Sequence, residues 1–168
     1  GGVTVSFGAK FAKSEQFKTV FREGMALVEA AATYLDGEGR KEARRLKPPL
    51  SLAYATESMR LTTRLMQLAS WLLIRRAVSE GELTLDQAIE EQRKVKLPSK
   101  ASEQPNRDFE ALPARLKDLI RQSVELQDRI VRLDKMLGLE KDESGTEENQ
   151  SLRMQISRLH AAFGTDRD

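Results

Sequence analysis

Helical hydrophobic periodicity dominates the first half of the chain. Apolar residues recur every three or four positions between residues 17 and 35, namely Phe17, Val20, Phe21, Leu27, Val28, Ala31 and Leu35. This spacing predicts an amphipathic helix with Ser14 as its N-cap and Gly37 just after its end. After a proline pair, a second helix is expected from about Leu50 to Ser79, a length of roughly 45 Å.

A short helix and a third long helix are predicted in the second half. The segment "TLDQAIEEQRKVKL" begins with Thr84 and Gln87 at the spacing of a capping box. Residues 98–107 are mostly polar, contain two prolines and predict a loop. The third helix is expected over 113–137. Its apolar a and d heptad positions are interrupted by Ser123, which favours packing in a bundle over an extended coiled coil.

The predicted domain organisation places this bundle between two different ends. The fold class is all-α, an antiparallel bundle of three long helices with a short extra helix, over residues 14–138. Residues 1–13 are interpreted as an N-terminal segment whose first glycines are a tag remnant. Residues 139–168 are expected to form a flexible acidic tether and a short amphipathic segment. The apolar residues of that segment are candidate contacts for a partner: Leu152, Ile156, Leu159 and Phe163.

The stretch "ESMRLTTRLMQLASWLLIRR", from Glu57 to Arg76, suggests a binding face. On a helical wheel, one broad apolar arc is assigned to the core: Met59, Leu61, Leu65, Met66, Leu68, Ala69, Leu72, Leu73 and Ala77. The opposite side carries the candidate protein-binding residues: Glu57, Arg60, Arg64, Gln67, Trp71 and Arg75. Tryptophan and arginine are enriched at binding hot spots. The alternative is that Trp71 is covered by the short helix from Thr84 or by the other helices, while Glu57 and the arginines form surface ion pairs along the helix.

Charge and composition narrow the function further. The chain holds 28 Lys plus Arg and 26 Asp plus Glu, so its net charge of +2 argues against direct nucleic-acid binding. The absence of cysteine excludes disulfides and thiol chemistry, and it suits a reducing cytoplasm. The longest apolar region, 65–74, is about half the roughly 20 residues of a membrane span. The basic segment "GRKEARRLK", Gly39–Lys47, is interpreted as a solvated turn, with contact to an anionic surface as the weaker alternative.

Catalytic motifs are scarce. His160 is the only histidine and has no acidic or nucleophilic partner near it in sequence. The "DGEGR" segment contains a G-x-G, but it follows a helix, whereas a phosphate-binding loop follows a strand. We therefore expect no catalytic residues, no metal site and no cofactor.

Two segments resemble the bacterial RcdA family, the regulators of CtrA degradation. They are "EGMALVEAAATYLDGEGR" over 23–40 and "YATESMRLTTRLMQLASWLLIRRAVSEGE" over 54–82. The resemblance implies a homodimeric helical bundle that acts as an adaptor for the ClpXP protease in cell-cycle control. It also implies that the protein acts together with a ClpX-priming response regulator, a cyclic-di-GMP effector protein and transcription-regulator cargo. The resemblance further implies that the protein is recruited to the cell pole.

The residues themselves leave other classes open. One alternative is an enzyme or a nucleic-acid regulator built on an all-α scaffold. Another is a dimerisation or regulatory module that binds another protein. A homodimer is expected independently of the resemblance, because the second helix is apolar over about half its circumference and needs cover on more than one side.

Overall fold

The computed structural model describes residues 2–95, 106–144 and 159 of the chain. Within these residues there is no strand, and the predicted all-α fold is confirmed. The helices, in chain order, are α1 Gly2–Asp36, α2 Glu38–Arg44, α3 Leu50–Ser79, α4 Leu85–Lys94 and α5 Ala114–Ser144. A 3-10 turn, Phe109–Ala111, precedes α5. No helix in the described part of the chain is both long and apolar enough to span a membrane.

The predictions for the second helix and the short helix are confirmed. Helix α3 has Pro49 at its N-cap position, so the helix begins as soon as the proline pair ends. At α4, the Thr84 hydroxyl accepts a hydrogen bond from the backbone N–H of Gln87 at 3.2 Å, and the Gln87 side chain accepts one from the backbone N–H of Thr84 at 2.9 Å. This reciprocal pair satisfies two backbone donors at the helix start.

Two predicted helix ends are wrong. Ser14 is not an N-cap but lies inside α1, which begins at Gly2. Helix α5 continues past Leu137 to Ser144. The physical reason is that neither segment contains a proline, and the single Gly138 inside α5 costs only about 1 kcal/mol relative to alanine.

The chain divides into a compact unit of residues Gly1–Ile130 and a second unit, Val131–Asp168. The second unit holds the rest of α5 and the described Leu159, which is helical and 55% exposed. The other three candidate contacts of the tail, Leu152, Ile156 and Phe163, lie outside the described residues. The remaining description concerns the first unit.

Helix α1 runs antiparallel to both α3 and α5. Near its middle, a Cβ atom at Gly24 would lie 2.7 Å from Leu72 of α3 and 3.5 Å from Leu126 of α5, so the absence of a side chain lets three helices meet. Toward the C-terminal end of α1, a Cβ atom at Gly39 would lie 2.6 Å from the Tyr54 hydroxyl, at the start of α3. Glu23 of α1 forms an ion pair with Arg129, far along α5.

Because α1 opposes both of its neighbours, α3 and α5 run in the same direction. The described part of the connection between them returns along the bundle, as in bundles with a long crossover connection. Helix α4 makes the first part of that return, folding back along the C-terminal half of α3 after Gly81, whose φ of +76° suits glycine. The core between the long helices is aliphatic and includes Val20, Leu27, Leu61, Leu65, Leu68, Leu72, Leu116, Leu119 and Ile130.

Candidate protein-binding surfaces

The polar side of α3 lies largely inside the bundle. Glu57, Arg64 and Trp71 are 7%, 3% and 3% exposed, so they are not available to a partner in this conformation. Arg64 donates a hydrogen bond from a guanidinium N–H to the Ser123 hydroxyl of α5 at 3.0 Å. That hydroxyl donates in turn to the Ile120 carbonyl oxygen at 2.7 Å. The serine that interrupts the heptad pattern of α5 is therefore the partner of a buried arginine.

Helix α4 covers Trp71, as the alternative interpretation of the sequence proposed. With its amide oxygen turned toward α3, Gln92 of α4 accepts hydrogen bonds from the Trp71 ring N–H at 3.1 Å and from Arg75 Nε at 3.2 Å. The Arg75 guanidinium also lies 5.5 Å from the centre of the Trp71 ring, within the range of a cation–π interaction. The tryptophan thus fixes α4 to α3.

The other predicted binding residues are only partly exposed. Arg60 forms an ion pair with Glu57 at 2.9 Å, and its side chain is 33% exposed. Gln67 and Arg75 are half-buried. The six residues Glu57, Arg60, Arg64, Gln67, Trp71 and Arg75 therefore do not form one open face, and that geometric prediction is wrong. Any direct binding role for them remains a prediction.

The predicted core arc of α3 is partly correct and partly wrong. Its four leucines at 61, 65, 68 and 72 are buried. Met59, Met66 and Leu73, however, are 70%, 66% and 51% exposed. The wheel assigned the most aliphatic side to the core, whereas the bundle covers a side rotated toward Glu57, Arg64 and Trp71. Burial of such polar groups is tolerated where their donors and acceptors find partners.

The exposed apolar residues of α3 form a regular line. Leu52, which is 69% exposed, Met59, Met66 and Leu73 are spaced seven residues apart, and we refer to them as the α3 stripe. The stripe extends over about 31 Å at 1.5 Å per residue. The residues between them on the open side are small and uncharged: Ala55, Thr62, Thr63, Ala69 and Ser70. The heptad spacing of these large apolar residues is the sequence signal that could have identified the stripe. It was missed because the core leucines lie on an overlapping part of the same helical wheel.

A second candidate surface lies where α2 packs on α1 and α3. The Tyr34 hydroxyl donates a 2.5 Å hydrogen bond to Glu42. Burial raises the pKa of the Tyr34 phenol well above its usual value, and the hydrogen bond to Glu42 adds to the increase. Beside Tyr54 is an open groove of about 440 Å³, lined by Leu35, Arg40, Ala43, Tyr54, Ser58, Met59, Thr62 and Thr63. We refer to it as the α2–α3 groove.

In the described ranges no group of three or more His, Asp or Glu side chains is placed to hold a metal ion. His160 lies outside those ranges. Among the described residues, the apolar α3 stripe and the α2–α3 groove are the candidate protein-binding surfaces.

Comparisons with known proteins identify the family. A family model described as "Protein of unknown function (DUF1465)" matches residues 8–163. The crystal structure of RcdA from Caulobacter crescentus CB15 is similar, with a TM-score of 0.57 and 45% sequence identity, covering 71% of this chain and 88% of that chain. No curated protein matched. The chain belongs to this RcdA-like family of all-α proteins, and the resemblance seen in the sequence is confirmed.

Proposed function

We propose that the protein is a non-enzymatic adaptor that helps deliver transcription regulators of the CtrA type to the ClpXP protease. The observation that carries this proposal is its 45% identity to RcdA, over 88% of that chain. Its partners would be the protease with a priming response regulator, a cyclic-di-GMP effector protein and the cargo, assembled at the cell pole. An adaptor of this kind acts by raising the local concentration of cargo at the protease, which requires two simultaneous contacts.

The α3 stripe supports a role carried out through protein contacts. Across its length of about 31 Å the open side of α3 carries no charged residue, although 32% of the whole chain is charged. A contiguous exposed apolar patch on a folded protein is often an interaction site. The stripe is thus the strongest candidate docking surface in the described part of the chain.

A second copy of this chain is the proposed occupant of the α3 stripe. A twofold axis brings the same surface of two copies together, so a self-complementary line of residues is what a homodimer requires. Seven-residue spacing of Leu and Met matches helix-to-helix packing, and the small residues between them permit close approach. The resemblance to the RcdA family implies the same homodimer.

The C-terminal segment is the proposed second contact of the adaptor. Leu152, Ile156, Leu159 and Phe163 recur at helical spacing after an acidic stretch, and such a short segment needs a partner surface to be stable as a helix. Deleting residues 140–168 is expected to leave the bundle folded but to slow cargo delivery. Equal cargo degradation by the full-length and the truncated protein would show that this segment is not a contact.

The direct test of the adaptor role is a degradation assay. Purified ClpXP, the priming response regulator and a CtrA-type cargo are incubated with and without this protein, and the loss of cargo is followed over time. We expect faster loss with the protein and no cleavage when the protease is omitted. An unchanged rate, together with an intact dimer, would favour a structural dimerisation module instead.

A further inference from the structure

The α2 region carries exposed cations without local partners. Arg40, Arg44, Arg45 and Lys47 are all exposed, and among the residues that the structure describes none of the four forms an ion pair. The two carboxylates of α2 itself are engaged elsewhere, since Glu38 pairs with Lys41 at 3.5 Å and Glu42 accepts a hydrogen bond from Tyr34. We refer to Arg40, Arg44, Arg45 and Lys47 as the α2 cations.

Several exposed cations on other helices are neutralised by a carboxylate one turn away, although Arg22 and Arg132 are exposed and have no ion pair within the described residues. Lys18 pairs with Glu15 at 3.4 Å, and Arg115 pairs with Asp118 at 3.0 Å. On α4, the side chains of Arg93 and Lys94 pair with the glutamates one turn before them. The α2 cations therefore concentrate positive charge in eight residues of a chain whose net charge is only +2.

The α2 cations border the α2–α3 groove. Arg40 lines the groove directly, and Arg44 lies one helical turn further along α2, on the same side. The groove floor is formed mainly by apolar groups of Leu35, Ala43 and Tyr54. Its volume of about 440 Å³ falls within the range of about 300–1,000 Å³ that is usual for ligand pockets.

The groove also contains a buried polar atom that needs a partner. The Ser58 hydroxyl oxygen is buried and has no hydrogen-bond partner in the described structure. Buried polar groups in folded proteins are normally hydrogen-bonded, so an orphaned hydroxyl beside a groove is suited to a donor or acceptor supplied by a ligand. A peptide backbone supplies both.

We propose that the α2–α3 groove binds a peptide segment in which apolar side chains adjoin a run of acidic residues. The apolar side chains enter the groove, the carboxylates face the α2 cations, and the peptide backbone reaches Ser58. Nucleic acid fits less well, because bases bind by stacking on open aromatic faces, and the aromatic residue that lines the groove, Tyr54, is only 7% exposed. For its biological setting this inference rests on the proposed adaptor function, in which such a peptide would belong to cargo or to another partner.

Binding is tested without protease, so that its outcome is independent of the degradation assay. A fluorescein-labelled peptide with a leucine pair followed by consecutive glutamates is titrated with the full-length protein, and anisotropy is measured. One control peptide replaces the leucines with serines, and another replaces the glutamates with lysines. A single-stranded oligonucleotide of similar length is the nucleic-acid control. The oligomeric state is measured alongside, because Met59, Thr62 and Thr63 line the groove and also lie on the open side of α3 that carries the stripe.

Matched variants distinguish peptide binding in the groove from nonspecific attraction of the peptide to positive charge. Arg40→Ala/Arg44→Ala/Arg45→Ala is expected to weaken peptide binding about tenfold, since each of the three exposed ion pairs contributes a factor of about 1.4 to 5 to the affinity. Ala43→Leu fills the groove and is expected to weaken binding while keeping the cations. The control Arg93→Ala/Lys94→Ala removes two exposed cations on α4 and is expected to bind as the wild type does. Circular dichroism checks that each variant is folded.

Each possible result of the binding experiment either supports or overturns the proposal. Weaker binding of both control peptides and of both groove variants supports the proposal. Equal binding of the leucine and serine peptides, tighter binding of the oligonucleotide, or no binding by the wild type overturns it. If the peptide does not bind but cargo degradation is still accelerated, the groove inference fails and the adaptor function stands. If the peptide binds and degradation is unchanged, the adaptor function fails instead.

Discussion

The two sides of α3 depart in part from the usual expectation for an amphipathic helix, because polar groups lie beside the buried leucines 61, 65, 68 and 72 on the inner side. The inner side holds Arg64, Glu57 and Trp71, each less than a tenth exposed. The outer side holds Met59 and Met66, each about two-thirds exposed. Arg64 and Trp71 are inside with partners on other helices, and Glu57 is inside with Arg60 of the same helix as its partner. The apolar groups are outside, where no other part of the described chain covers them. The comparison separates residues that maintain the fold from residues available to a partner.

The largest expected effect is at Trp71. Because the ring is buried against α4, Trp71→Ala should lower the free energy of unfolding by about 3–5 kcal/mol. The matched outer-side variant Met66→Ala should cost less than about 0.5 kcal/mol in the fold of one copy, and any further loss should come from dimerisation and vary with protein concentration. Urea denaturation measured by circular dichroism compares them. Similar losses for the two variants would remove the distinction between the sides.

The buried Arg64–Ser123 contact should have the next largest effect. A hydrogen bond to a charged group contributes about 1.5–3 kcal/mol, so Arg64→Ala should destabilise the bundle by at least that amount. A double-mutant cycle with Ser123→Ala isolates the shared contribution, which is expected to be about 1 kcal/mol or more. Strict additivity of the two single variants would mean that the contact contributes no stability.

Gly39 and Gly8 offer a matched pair for the packing of α2. A Cβ atom at Gly39 would lie 2.7 Å from the Tyr34 carbonyl oxygen, a backbone atom that cannot move aside easily. Gly39→Ala should therefore cost about 1–3 kcal/mol. A Cβ atom at Gly8 meets nothing within 4 Å, so Gly8→Ala should be neutral or stabilise by up to about 1 kcal/mol. Thermal unfolding of the two variants gives the comparison, and a neutral Gly39→Ala would contradict the packing described for α2.

The ionisation of Tyr34 should make the stability of this packing depend on pH. Its raised pKa means that the folded state keeps the phenol proton at pH values where the unfolded chain, with a pKa of about 10, loses it. The contribution of Tyr34 to stability is therefore complete below about pH 10 and is lost as the pH rises above that value. The chain has two tyrosines, so Tyr54→Phe leaves Tyr34 as the only chromophore of its kind. Its ultraviolet titration should coincide with alkaline unfolding. Ionisation near pH 10 in the folded protein would show that the phenol is not buried.

The fold was predictable from sequence to a greater extent than the candidate surfaces were. Helix α3 and the capping box of α4 depend on local signals, a proline pair and the Thr84–Gln87 spacing, which act within a few residues. The covered side of α3 depends instead on distant partners. Ser123 is 59 positions from Arg64, and Gln92 belongs to a different helix from Trp71. A wheel drawn from one helix contains neither, so it assigned the most aliphatic side to the core.

The role of the α2 cations was likewise not predictable from one segment of the sequence. The basic segment 39–47 was interpreted as a solvated turn, because a charge run is usually solvated. Only the structure shows that Glu42 is engaged by Tyr34 and that Arg40 borders a groove beside Tyr54. Such pairings depend on the packing of α1, α2 and α3, and sequence spacing does not reveal them.

The central claim is that the α3 stripe serves partner contact and not the fold, and the double variant Met59→Glu/Met66→Glu tests it most directly. The measurement is sedimentation velocity at micromolar concentration, with the wild type and Lys18→Glu, a charge change on exposed α1 surface, as references. The account predicts a dimer for both references and a folded monomer for the double variant. A double variant that remains dimeric, or a wild type that is monomeric, would contradict it.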